Sequence, residues 1–523
     1  MSDINIMIKN GMEVVMFADK YGTDTVTAIK LETSFGHEAG GDFTLPDYMP
    51  EIKRMLYVSA SPLPEGKFLN GNVLELDGTL AYNAVYAGDD GSLASAPLIA
   101  EYSADTALVS APENADFVFV DTEIESTVCR ATGPRSLNIK SRLKFKVACE
   151  EIFENDDTVL NGEGKAVSDS SSGTERYTSE IDSYVRRRVS ATAGTSGVMT
   201  LPDGAAPIMC DGTMSVSSAS PDAQGVKVVG NVCVKCLYST SDGDYASAKC
   251  NMPFDCFLPI DGDASFTDGR AWGRVASVSL TPAENSVGEY TVAAEYDLDA
   301  EVFFRTRATV CTDAYSTGYE TENEYKECDI PSIIVSGDKK IDVSASAELR
   351  NQSQEAVLLD LSPAVCQSSV SAADGKIAAS GSVKARALLN SDGEIFSQEI
   401  EIPYKTDLAD LPTGVSPQDI QYRINCTATD LTASVAGGVL SFGATVSLTY
   451  SVCRRQRVKL VTAVKLGDKI EGDASPCVKV YYPAQDETVW SICRRYRADR
   501  TRLLKNNSFE DGVAQRGKPV IIM

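Results

Sequence analysis

Gly78-Thr-Leu-Ala-Tyr-Asn-Ala-Val-Tyr-Ala-Gly-Asp-Asp-Gly91 is the stretch whose reading decides the fold. Apolar and polar residues alternate along it with the period of a half-buried strand. It closes on Asp-Gly, a turn signal, because glycine adopts positive φ without a Cβ clash. The pattern recurs as Gly230-Asn-Val-Cys-Val-Lys-Cys-Leu-Tyr-Ser-Thr-Ser-Asp-Gly243. It recurs again, one residue shorter, as Gly381-Ser-Val-Lys-Ala-Arg-Ala-Leu-Leu-Asn-Ser-Asp-Gly393. Eleven residues after each turn glycine stands an aromatic: Tyr102, Phe254 and Tyr404. The turn glycines are 152 and 150 residues apart, so the chain carries a long internal repeat.

The register extends both ways. Upstream, Leu45-Pro-Asp and Leu201-Pro-Asp open the first two copies, whereas the third keeps only Pro363-Ala-Val-Cys. Downstream, each copy has a second alternating stretch, beginning at Leu137, Tyr290 and Val439. Short alternating strands with frequent turn signals predict an all-β sandwich module. Short helical pieces are expected near Met49–Met55, and the polar stretch Asn161–Arg176 reads as a linker or exposed loop.

The composition is that of a globular protein, with 43% hydrophobic and 23% charged residues. The net charge of −26 argues against nucleic-acid binding, which needs Lys and Arg for phosphate neutralisation. The charge is uneven. Pro476–Met523 holds nine Lys/Arg against five Asp/Glu, a net of +4, leaving −30 on the remainder. Met1–Lys20 lacks the apolar core of an export signal, and no apolar run approaches a membrane span, so the protein is expected to stay where it is made. The fourteen cysteines mostly sit in alternating patterns and read as buried, reduced thiols.

Catalytic constellations are not evident. The sole histidine, His37, reads as an exposed loop residue. Cys233 and Cys236 have Cys-x-x-Cys spacing, but positions i and i+3 of a strand face opposite ways, which favours packing over zinc. Asp261-Gly-Asp-Ala-Ser lacks the later ligands of a calcium loop. The Gly-x-x-x-x-Gly-Lys-Ser/Thr phosphate loop is missing, so an ATPase activity would belong to a partner. Tyr184-Val-Arg-Arg-Arg-Val189 reads as a strand edge guarded by charge, with contact to an anionic membrane as the lesser alternative. No cofactor or metal is expected, and an enzyme is not.

The C-terminal stretch changes character. Val478, Val480 and Tyr482 alternate as a strand, and Asp486 is placed to cap a helix. In that helix Val489, Ile492, Cys493 and Tyr496 form one face. A second helix around Arg500–Lys505 turns Leu503 and Leu504 inward, and Gly517-Lys-Pro-Val-Ile-Ile522 closes as a strand. Trp490, one of two tryptophans, falls off the buried face and is expected to be partly exposed beside Arg494, Arg495 and Arg497. Exposed Trp and Arg anchor interfaces. The candidate partner-binding residues are therefore Trp490, Arg494, Arg495, Arg497, Val478 and Tyr482.

Asp486-Glu-Thr-Val-Trp-Ser-Ile-Cys-Arg-Arg-Tyr496, Leu503-Leu-Lys-Asn-Asn507 and Arg516-Gly-Lys-Pro-Val-Ile together resemble the LysM module. The chain departs from that pattern at Pro483-Ala-Gln-Asp-Glu-Thr488. Many LysM modules have there a compact Pro-Gly-Asp-Thr turn that lines the glycan groove. The Leu-Pro-Asp entries, the Asp-Gly hairpins and Cys129-Arg-Ala-Thr-Gly-Pro-Arg-Ser-Leu-Asn-Ile139 resemble the SPOCS domain of clostridial spore proteins. Several SPOCS domains followed by one LysM is the layout of the SipL-like family of spore coat morphogenetic proteins.

The expected fold class is thus mainly β, with tandem β-sandwich-like repeat modules at 1–165, 166–335 and 336–470. A small βααβ LysM-like domain follows at 471–523. The resemblance implies a non-enzymatic scaffold in the mother-cell cytoplasm, at the forespore surface. It would tether a SpoIVA-like coat ATPase and contact other coat or forespore outer-membrane proteins. The alternative is a peptidoglycan-binding protein of the spore cortex or cell wall.

Overall fold

The computed structural model describes residues 5–9, 12–16, 25–63, 66–154, 158–222, 224–260, 268–283, 286–350, 356–470, 478–484, 486–510, 512–515 and 517–523. The chain is mainly β. A hairpin of β1 (Asn5–Lys9) and β2 (Met12–Met16) comes first. The first group of strands is β3 (Thr25–Thr44), β4 (Ile52–Pro62), β5 (Gly66–Asn70), β6 (Val73–Gly88), β7 (Leu93–Ala107), β8 (Val118–Gly133) and β9 (Ser136–Glu154). Short β10 (Thr158–Leu160), β11 (Ala166–Val167) and α1 (Asp169–Ser172) lead to the second group. This group is β12 (Thr174–Thr200), β13 (Ala206–Asp222), β14 (Gly225–Ser239), β15 (Tyr245–Pro259), β16 (Asp268–Pro282) and β17 (Glu289–Ser316). The third is β18 (Tyr319–Glu348), β19 (Val357–Ala373), β20 (Lys376–Ser391), β21 (Glu394–Asp410), β22 (Ile420–Ala436) and β23 (Val439–Lys469).

Strand order is the same in all three groups, apart from β5, which pairs with β6 in the first. One antiparallel sheet runs β8-β9-β3, β16-β17-β12 or β22-β23-β18, and the other is a meander, β4-β6-β7, β13-β14-β15 or β19-β20-β21. The two sheets of a group enclose one apolar core. In the first group Leu74, Leu80 and Tyr82 of the meander meet Leu137, Ile139 and Phe145. In the second, Val228 and Val234 meet Tyr296 and Leu298. In the third, Val383 and Leu389 meet Leu440 and Val446. Burying such side chains contributes roughly 1.5–3 kcal/mol each.

The glycine–aromatic spacing has a direct geometric cause. Gly78 lies opposite Tyr102, Gly230 opposite Phe254 and Gly381 opposite Tyr404, one hairpin below each Asp-Gly turn. The ring folds over the glycine and fills the space a side chain would need. A Cβ on Gly230 would lie 2.3 Å from the Ser215 carbonyl oxygen and 2.4 Å from the Phe254 ring. Gly230→Ala is therefore expected to destabilise the chain by about 1–3 kcal/mol through overpacking, read as a lowered urea midpoint. The third turn is shorter because Asp392 and Gly393 both have positive φ, 53° and 80°, which makes a two-residue hairpin.

The leucine of the Leu-Pro-Asp entry has a counterpart in the third group after all. Leu45, Leu201 and Leu349 are each 2% exposed. Their N–H groups donate to the carbonyls of Arg135, Gly288 and Gly438, at the turn before the last strand of each group. The third copy, expected to lack the whole Leu-Pro-Asp entry, thus keeps its leucine as Leu349 and lacks only the Pro-Asp.

The three groups close into a ring. Strand β7 packs on β13, β15 on β19, and β21 returns to β4. Equivalent positions meet where they join: Val85, Leu237 and Leu388 share one apolar cluster with Leu93, Met209, Leu359 and Ile395. The Leu93 N–H donates to Tyr245 Oη at 2.9 Å, Lys235 Nζ pairs with Asp360 at 2.8 Å, and Ser397 Oγ donates to the Leu56 carbonyl at 2.6 Å. A second seam joins the third group to the first, where β10 runs parallel to β23 and β18 bridges β3 at Asp329 and Ile29.

Several local expectations change. Met49–Met55 is not helical, because a turn closed by the Met49 N–H on the Pro46 carbonyl leads straight into β4. Asn161–Arg176 is structured. Its Asn161 side chain accepts from the N–H groups of Glu163 and Lys165 to close the β10–β11 turn, and Ser172 of α1 is buried. The boundary placed between 335 and 336 falls inside β18. His37 is half-buried in β3 opposite Leu143, its ring 6.1 Å from Tyr102, rather than in a loop. Cys366 and Cys426 form a disulfide between β19 and β22, so these two are not reduced thiols. Cys236 packs in the second core opposite Cys210, while Cys233 lies on the other face of β14. The Asp261-Gly-Asp-Ala-Ser segment is outside the described residues.

Candidate functional sites in the C-terminal module and the central cleft

The C-terminal module comprises β24 (Lys479–Tyr481), α2 (Val489–Tyr496), α3 (Arg500–Asn506) and β25 (Val520–Ile522). Strand β24 pairs antiparallel with β25. Thr488, not Asp486, caps α2 by accepting from the Ser491 N–H at 3.2 Å, since the helix begins only at Val489 and Asp486 lies in a turn with φ 61°. Asp499 caps α3 through the Arg502 N–H. The Asn507 amide donates to the Leu503 and Ile521 carbonyls and accepts from the Ile521 N–H, which ties α3 to β25. Leu503 is buried, but Leu504 is 43% exposed, because the short helix presents only one face to the core.

Trp490 is not partly exposed. It is 9% exposed, and its Nε1 donates to Asp313 Oδ2 at 2.8 Å. Its ring centroid lies 5.2 Å from that of Tyr177 and 5.1 Å from that of Tyr315. The helical face set by Val489, Ile492 and Cys493 is buried within the module, and Trp490 is buried from the other side by β12 and β17. Tyr315 Oη donates to the Ala498 carbonyl at 2.6 Å. Burial pushes the Tyr315 hydroxyl well above its ordinary pKa, with nearby Cys493 and Glu175 adding to the effect. Arg494 pairs with Asp313. Arg497 donates to the Tyr319 carbonyl at 2.9 Å and stands 3.7 Å from Glu320. Arg495 turns back within the module to Glu487, at 2.9 Å, and to Tyr481.

Apart from Arg495, which stays within the module, the candidate residues divide between two faces. Trp490, Arg494 and Arg497 fasten the module to the chain's own β12–β17–β18 corner. Val478 and Tyr482, 57% and 67% exposed, face outward with Val480 at 58%.

The second site was missed by sequence reasoning. The arginines of Tyr184–Val189 do lie on an edge strand, β12 of its sheet, but Arg186 and Arg188 do not guard it from solvent: they enter a charge cluster where the three groups meet. Arg186 and Arg270 are fully buried, as is Glu301. Glu301 takes Arg188 at 2.6 Å, Arg270 at 2.7 Å and Arg186 at 3.5 Å. Arg186 also reaches Glu150 at 2.9 Å, and its guanidinium lies 3.3 Å from the Phe119 ring centroid. Asp121 takes Arg188 at 2.7 Å and Arg423 at 3.6 Å. These residues come from β8, β9, β12, β16, β17 and β22, so the cluster spans all three groups. The available signal was alternation, which puts Arg186 and Arg188 on one face of a strand.

Burial alone would raise the Glu301 carboxyl, but Arg270, Arg188, Arg186 and Arg423 override it and hold the group well below the carboxylate range. Asp121 is lowered in the same way, against burial, by Arg188 and Arg423. An unfolded chain, with ordinary carboxylate pKa values of about 4, takes up protons first as pH falls. Stability is thus full above about pH 5 and lost progressively as pH drops toward the depressed folded values. Urea midpoints measured from pH 7 to pH 3 are expected to fall below pH 5, and to fall less steeply in Glu301→Gln.

Beside the cluster opens a cleft of about 1070 Å³, lined by β8, β12, β16, β17 and β22 and including Trp272 and Tyr422. Among the described residues no group of three or more His, Cys, Asp or Glu could hold a metal ion. Comparison of the chain with known families, curated proteins and solved structures finds no match.

Proposed function

We propose that the chain is a non-catalytic scaffold of spore coat assembly, built of three copies of one two-sheet sandwich unit and a LysM-like module. It would work in the mother-cell cytoplasm at the forespore surface and tether a SpoIVA-like coat ATPase there. The observation that carries this reading is the outward apolar row Val478, Val480 and Tyr482, centred on the module's strand β24 and flanking it at both ends. Exposed apolar side chains in a row mark protein contacts, and among the described residues β24 pairs with β25 alone, which leaves a strand edge open for β-addition. The strand–helix–helix–strand order and the excess of positive charge on the module support the same reading.

The test is binding of the full-length chain to purified coat ATPase, with Val480→Glu and Tyr482→Glu combined as the variant. Binding by the wild type, weakened at least about tenfold in a variant of unchanged melting temperature, is the expected result, since two apolar anchors are lost. Retention by purified peptidoglycan with no affinity for the ATPase would instead make the protein a wall-binding one.

A further inference from the structure

The geometry points to the outer half of the central cleft as a binding site for an extended basic peptide, recognised through ammonium or guanidinium groups. Strand β17 turns Val292, Ala294, Tyr296 and Leu298 into the core of its group. Its other face carries Glu295, Asp297 and Asp299, and all three line the cleft. Asp297 is only 7% exposed. Its Oδ1 accepts from Thr192 Oγ1 at 2.8 Å, but its Oδ2 is buried without a hydrogen-bond donor. Arg274 Nε, the nearest cation, stands 3.7 Å away and likewise makes no hydrogen bond. A buried carboxylate oxygen without a donor is an unfavourable arrangement that an incoming N–H relieves.

The other lining cations are engaged elsewhere. Arg188 is held by Asp121 and Glu301, Arg423 by Asp121, Lys146 by Glu123, and Lys67 donates to the Val118 carbonyl at 2.6 Å. Asp299 accepts from Ser190 Oγ and Glu295 from Ser277 Oγ, both uncharged. Of the three carboxylates, Asp297 alone forms an ion pair among the described residues, with Arg274, and the potential left in this part of the cleft is negative.

Spacing selects the form of the ligand. Carboxylates at every second residue of a strand repeat about every 6.6–6.8 Å. An extended peptide with a basic side chain at every second residue has the same repeat. The cleft's volume, at the upper end of the roughly 300–1,000 Å³ typical of ligand sites, admits a chain rather than a lone ion. A linear polyamine offers the same cationic nitrogens, and the experiment separates the two sources.

The test is calorimetric titration of the full-length protein at low salt with Gly-Lys-Gly-Lys-Gly-Lys-Gly, with its lysine-acetylated form, and with spermidine. The peptide is expected to bind and the acetylated form to fail. Asp297→Asn combined with Asp299→Asn should weaken binding at least tenfold. Asp89→Asn combined with Asp105→Asn, an equal charge change at exposed positions, should leave it unaltered. Spermidine binding that needs the same two aspartates, without peptide binding, would support the cation site and assign a polyamine to it. Equal weakening in both double variants, or no binding of either probe, would overturn the proposal, the former because it reports only the attraction of a chain of charge −26.

Discussion

Glu301→Gln is expected to destabilise the folded chain by about 3–5 kcal/mol, the range for breaking a buried ion pair by removal of one partner. Glu301 is 0% exposed and is contacted by three guanidinium groups. The amide keeps the shape but removes the charge, so fully buried Arg270 loses its close counter-charge and fully buried Arg186 loses the more distant of its two. Arg188 retains Asp121, and Arg186 retains Glu150, so the loss is concentrated on Arg270, whose remaining partner is Asn425 Oδ1 at 2.6 Å. Paired urea melts of wild type and variant at pH 7 check this. A difference under about 1 kcal/mol would mean that water reaches the cluster and solvates the guanidinium groups. Arg270→Met combined with Glu301→Gln is expected to recover part of the loss, since an uncharged pair leaves less charge stranded in the interior.

Trp490→Ala is expected to remove about 3–5 kcal/mol from the C-terminal module, the range for truncating a buried aromatic. The side chain joins two bodies. It lies in the module's small core with Val489, Ile492 and Leu503, and its ring packs at a tilt between Tyr177 and Tyr315 while holding Asp313. Amide exchange of α2 should accelerate by two orders of magnitude or more, while the cores of the three groups keep their protection. Asp313→Ala separates the two roles. It leaves the module's interior intact and removes the partner of both Trp490 and Arg494. It should therefore loosen docking, seen as faster exchange at the α2 surface, with less effect on amides behind Ile492 and Cys493.

How far the sequence foretold this structure depended on the range of each interaction. The hairpin glycines and their aromatics were legible because turn, alternation and cross-strand partner all lie within 25 residues, as for Gly230 and Phe254. The charge cluster was not legible, because Arg188 and Glu301 are 113 residues apart and their pairing follows from the ring, not from a local period. Trp490 was misplaced for a similar reason. A helical wheel identifies the face turned to the module's own core, and it is blind to a second wall supplied by Tyr177 and Tyr315. Leu349 was overlooked because the flanking Pro-Asp that marks Leu45 and Leu201 is replaced by Arg350-Asn351. Of the candidate partner residues, the outward pair Val478 and Tyr482 followed from simple strand alternation, which needs no distant neighbour.

The return of β21 to β4 sets a valence. A head-to-tail contact that does not close propagates into a filament, whereas one that closes consumes both of its ends. Here every outgoing edge is capped by the next group of the same chain, so the body has no copy of that contact left to offer a neighbour. Each molecule is a finished unit in this respect, and concentration alone will not polymerise it through these edges. Any larger array must grow from surfaces outside the ring, and the number of links per molecule is then set by those surfaces rather than by the number of strand groups.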